Sequence, residues 1–200
     1  MPESTSPDKL RFERQRAVRL EYFTVTWNTA EIIVSIVAGI MAQSIALIAF
    51  GLDSVMEVVS GLALLWRFKQ QRMEEEEADS RAVKIVGITF FLLSVYAGVE
   101  AVRDLYLRHA PETSVPGMIL AVVSLIIMPV LAIAKRRLAR SLDSRALSAD
   151  STETLFCSYF SATLLVGLVL NAWLGWWWAD PLSALIMVVL MIREGFEALA

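Results

Sequence analysis

The 200-residue chain has one cysteine and one histidine, Cys157 and His109. A lone cysteine excludes an intrachain disulfide and any CxxC metal or redox motif. There is no Ser/His/Asp set, HExxH motif or glycine-rich phosphate loop, so the chain is expected to be no enzyme and to hold no resident cofactor. Neither charge sign dominates, with 18 Lys and Arg against 21 Asp and Glu, and no nucleic-acid partner is expected. The first twenty residues, MPESTSPDKLRFERQRAVRL, lack an apolar core of signal-peptide length. No cleaved leader is expected, and the first apolar run should serve as its own signal.

What is abundant is apolar side chain. At 56% hydrophobic residues and a mean hydropathy of +0.58, the composition suits a polytopic, all-α membrane protein in contact with lipid and leaves no room for a large soluble domain. A basic arm over 1–20 should lead into a transmembrane domain over 21–200, whose spans fall near 22–42, 44–67, 82–106, 115–134, 149–178 and 181–200. No C-terminal cytoplasmic domain is expected. Pro129 should kink span 4. The loop after span 2 holds Glu74 to Glu77, four consecutive glutamates that either form a solvated loop or concentrate cations near an entrance.

Lys and Arg number five in the arm, five around the loop joining spans 2 and 3, and five around the loop joining spans 4 and 5. The loops after spans 1 and 5 have none. By the positive-inside bias, both termini should be cytoplasmic, as expected of a bacterial inner-membrane protein, with Trp173, Trp176, Trp177 and Trp178 at the outer face.

The apolar spans carry acids that are costly at bilayer depth unless paired, protonated or bound to a cation. Asp53 and Glu57 stand four apart on span 2 and share a helical face. Asn28, Glu31 and Ser35 share a face of span 1, and Asp150, Glu153 and Cys157 share one on span 5. These stripes should face one another. Asp53, Glu57, Glu153 and Cys157 form the smallest set that could close a tetrahedral shell around a divalent metal, and the sulfur donor tilts the expectation toward zinc. Ligands that must lose protons to bind couple such a site to protons. Glu31, Asn28, Asp150 and Glu100 are candidate proton or cation relays. Several of these residues have a plainer reading: Glu31 as an interhelical hydrogen-bond partner, Cys157 as a small buried apolar residue, and Glu100 and Asp104 as structural partners of Arg103 or a neighbour. His109 reads as a surface residue.

The run QSIALIAFGLDSVMEVVSG resembles the second-span signature of the cation diffusion facilitators, in which an acid pair at i, i+4 binds the transported metal. SADSTETLFCSYFSA is similar to the family's fifth span, with Glu153 and Cys157 at the positions of its second ligand pair. FGLDSVMEVVSG with LWRF, and LGWWWADPLSAL, look closer still to the branch related to transmembrane protein 163. The resemblance implies efflux of a divalent metal in exchange for protons by alternating access, and a homodimer, here through the membrane helices. Glu and Cys stand where the family commonly has His or Asp, then Asp, and an Arg/Lys loop replaces the histidine-rich loop of zinc-specific members. A non-transporting scaffold or regulator with a degenerate metal site is the alternative.

Overall fold

The computed structural model describes the backbone of residues 7–70 and 79–199, and the side chains of 9–66, 68, 91–92 and 94–192. Glu74 to Glu77 lie outside the described residues. Among the described residues the fold is all-helical, with six helices: α1 (Pro7–Ala42), α2 (Ile45–Gln70), α3 (Asp79–Leu107), α4 (Val115–Ser141), α5 (Arg145–Leu174) and α6 (Ala179–Leu199). Four of them, α1, α2, α4 and α5, are long and apolar enough to cross a membrane. α6 contributes a shorter apolar stretch, Ala179–Ile192.

α1 begins at Pro7, so the basic segment continues the first span as helix. At ~1.5 Å per residue its 36 residues outrun the hydrocarbon and project beyond it. α4 runs through Pro129 to Ser141, and α5 ends at Leu174, which leaves Trp176 to Trp178 in the connection to α6.

The hairpins α1–α2 and α4–α5 are closed by the same device. Gln43 and Asp143 take left-handed backbone at φ 54° and 47°. Each is followed by a serine whose N–H reaches back to the preceding helix, Ser44 to Gly39 O at 2.9 Å and Ser144 to Ala139 O at 3.0 Å. The two serine hydroxyls then cap the next helix by accepting from Leu47 N at 3.1 Å and Leu147 N at 3.3 Å.

Burial is inverted relative to a water-soluble bundle. Glu21, Asn28, Glu31 and Ser35 of α1 are fully buried, while Ile33, Val37 and Ile40 of the same helix are exposed. On α4, Ser124 and Lys135 are buried, and Ile119, Ile126, Val130 and Ile133 face outward. An apolar exterior suits lipid, and polar interiors hold helices together there. α1, α2, α5 and α4 each pack on the next to close a ring around this interior, and α3 and α6 pair beside it, chiefly against α2 and α5. Gly51 lets α2 approach α1, since a Cβ there would stand 2.8 Å from Ile36 Cδ1.

Candidate metal site

The ring interior is polar in layers. Antiparallel packing sets Asn28 of α1 beside Glu57 of α2, Glu31 beside Ser54, and Ser35 against Gly51. α4 adds Ser124 opposite Glu31, and α5 adds Cys157 opposite Asp53.

In the upper layer Asp53 and Glu57 are each 5% exposed, and Glu31 is fully buried. Glu31 accepts from Trp27 Nε1 at 2.7 Å, from Ser54 Oγ at 3.2 Å and from Ser124 Oγ. Glu57 Oε2 accepts from the Asn28 amide, whereas its Oε1 is buried without a hydrogen-bond partner, as is Asn28 Oδ1. The fully buried Cys157 thiol stands within hydrogen-bond reach of the Asp53 carboxylate. Three acids from two helices thus meet a thiol from a third, among donors that are hydroxyl, amide and indole. A thiol and carboxylate oxygens form a donor set that zinc and related divalent ions accept. Among the described residues, no three His, Cys, Asp or Glu side chains converge closely enough to hold a metal in this conformation.

Of the four expected ligands, the structure brings Asp53, Glu57 and Cys157 to the interior and leaves Glu153 exposed on the flank of α5, within hydrogen-bond reach of Ser60. The buried stripe of α5 runs through Asp150, Thr154, Cys157 and Ser161. At about 100° per residue Glu153 stands roughly 70° off the centre of that stripe. Spacing and the resemblance to the family's fifth span pair Glu153 with Cys157. The inward acid is Asp150.

Asp150 belongs to a second, lower layer, which the sequence reading missed. Lys135 of α4, counted above with the basic loop, is fully buried and is the one buried basic side chain among the described residues. Its Nζ lies 2.6 Å from Asp150 Oδ2 and 3.2 Å from Glu21 Oε2, and it donates to Thr154 Oγ1 at 3.1 Å. Two signals could have found it. Ser124 and Lys135 are eleven residues apart, close to three helical turns, and Glu21 extends the stripe of Asn28, Glu31 and Ser35 by seven.

Glu100 sits apart from both layers, on α3, paired with Arg103 at 2.9 Å. It lines an open cavity of about 310 Å³ with Tyr96, Asp104 and His109. At the tryptophan end Asp180 ties α6 to α2, accepting from Ser44 Oγ at 2.5 Å and from Ala46 N at 3.2 Å.

The model of the cation efflux transmembrane domain matches residues 23–200, nearly the whole chain. The chain belongs to that family. It is an integral, multi-pass membrane protein. It is 26% identical to transmembrane protein 163 of Xenopus laevis over 161 residues, 80% of this chain and 57% of the relative. It is 27% identical to the cation-efflux pump FieF of Shewanella oneidensis over 132 residues, 66% of this chain and 42% of that one. A cadmium, cobalt and zinc/H(+)-K(+) antiporter of Bacillus velezensis is 22% identical over 181 residues, 84% of this chain and 56% of the relative. The chain spans about half the length of these curated relatives.

Proposed function

We propose that this chain carries a divalent metal cation, zinc foremost, out of the cytoplasm in exchange for protons by alternating access, with both termini on the cytoplasmic side. The observation that carries this reading is the Asp53–Glu57 pair, buried in the ring with the buried Cys157 thiol beside Asp53. A buried carboxylate pair is expensive unless a cation or protons neutralise it, and exchange of one for the other gives coupled transport. Asp53, Glu57 and Cys157 are the proposed direct ligands, and the unpaired Oε1 of Glu57 is a coordination position available without breaking an existing bond. Glu153 would join them only after rotation of α5, the kind of helix movement that alternating access requires. Glu31 and Asn28 flank the ligands as relay and positioning groups. Family membership and the transport activities for which the two bacterial relatives are named support this reading.

The test is zinc uptake into proteoliposomes under a pH gradient. Asp53→Asn should reduce it to the protein-free background while the protein stays monodisperse, and normal uptake by that variant would remove the central claim. A second reading, a scaffold without transport, is favoured by the lack of three convergent donors among the described residues. Equilibrium zinc binding separates the two, because a scaffold should show no tight site.

A further inference from the structure

The buried Lys135 has no part in the cation site proposed above, yet its place is closely defined. Its ammonium bridges Asp150 of α5 at 2.6 Å and Glu21 of α1 at 3.2 Å, with Thr154 Oγ1 at 3.1 Å. α2 passes the same rung at Gly61, where a Cβ would lie 3.4 Å from Glu21 Oε2, in ordinary contact with it. All four helices of the ring therefore meet at this point.

α2 serves as a ruler for depth. Asp53 is level with Cys157, Glu57 with Asn28, and Gly61 with Glu21. Gly61 is four residues beyond Glu57, about 6 Å, on the side of the α4–α5 turn and the N-terminal half of α1. The lysine rung thus lies across the axis of the ring, between the Asp53–Glu57 layer and the basic end of the molecule.

We propose that Lys135 is a tethered cation that seals the basic end of the transport path. This rests on reading Asp53, Glu57 and Cys157 as the cation site. With its ammonium in place, a metal ion approaching from that end meets a like charge and two occupied carboxylates. Release of Glu21 or Asp150 from Lys135 separates α1 from α5 and opens the way. Pro129 lies in α4 between Ser124 and Lys135 and offers no N–H to the Leu125 carbonyl, so the lysine-bearing half of the helix has a point at which to bend. Glu57 is within electrostatic reach of the ammonium, so a divalent cation arriving there repels Lys135 and weakens the seal.

The chain's single cysteine supplies the readout. The measurement is the rate at which a charged, membrane-impermeant thiol reagent modifies Cys157 from the basic-end side, in metal-free, oriented liposomes holding the full chain. Glu21→Gln and Lys135→Gln should each raise that rate about tenfold. Lys135→Arg, which keeps the charge, should stay near wild type, as should Glu100→Gln, which lies far from the rung. Unchanged rates in both Glu21→Gln and Lys135→Gln overturn the proposal. If Lys135→Gln does not fold, Glu21→Gln decides alone, because it leaves the Lys135–Asp150 pair intact. Repeating the assay with zinc distinguishes the two readings. Zinc that fails to slow labelling of the already opened Glu21→Gln variant defeats the cation site and leaves the seal standing, whereas zinc protection with labelling indifferent to Glu21 and Lys135 defeats the seal.

Discussion

The two polar layers of the ring use the same materials to opposite ends. The upper layer gathers Glu31, Asp53 and Glu57 around a thiol, an amide, hydroxyls and an indole. The lower layer gathers Glu21 and Asp150 around one lysine. Both are buried, and both join several helices. They differ in charge compensation. The lower layer carries its own cation and is nearly complete, so it can hold helices together in one arrangement. The upper layer has three acids and no ammonium of its own, which leaves a mobile cation or protons to supply what the chain does not.

Breaking the lower layer should have the largest effect on stability. Removing one partner of a buried ion pair strands the other, at about 3–5 kcal/mol. Lys135→Met strands two carboxylates and should lower the thermal unfolding midpoint in detergent strongly. Glu31→Gln removes a charge from the upper layer, keeps an oxygen for Trp27 and Ser124, and turns an amide N–H toward Ser54 Oγ, which still donates to the Phe50 carbonyl and can accept it, so it should cost under about 1 kcal/mol or stabilise. Equal losses in the two variants would end the distinction between a compensated and an uncompensated layer.

A sharper contrast lies within the upper layer. Cys157→Ser replaces a soft sulfur donor with a hard, weakly coordinating oxygen of similar size. Zinc affinity by equilibrium titration should fall about tenfold, ~1.4 kcal/mol, while manganese affinity changes little. Parallel losses for both ions would mean that the thiol packs rather than ligates.

How far each layer could be read from the sequence follows from its spacing and its neighbours. Asp53 and Glu57 stand out because apolar residues surround them on both sides, so hydropathy and the i, i+4 rule find them together. Lys135 adjoins Arg136 and Arg137 and is absorbed into a basic loop, although α4 continues past it to Ser141. Burying Lys135 removes it from the positive-inside tally and leaves four of the five basic residues around that loop, so the expected orientation does not depend on it. Glu21 is hidden likewise by the boundary between arm and span, a boundary the continuous α1 does not have. For Glu153, period alone was too coarse. Residues three and four apart share a broad face, and only the packing of α5 shows that Asp150, Thr154 and Cys157 mark its centre.

The smallest effect should come from the pair the sequence did anticipate. Glu100 and Arg103 are i, i+3 on α3, with side chains 26% and 63% exposed, and they lie outside the ring. Exposed pairs of this kind contribute at most about 0.5 kcal/mol, because solvent screens them and two long side chains must be ordered to form them. Glu100→Gln should therefore shift stability by less than that amount and leave zinc uptake unchanged, which would retire Glu100 as a relay. A marked loss of uptake with intact folding would instead extend the cation path to the open cavity at the end of α3, beside Asp104 and His109. The same chemical pairing, carboxylate with a basic side chain, would then matter to transport at an exposed site, and burial could no longer be the property that separates the functional acids from the rest.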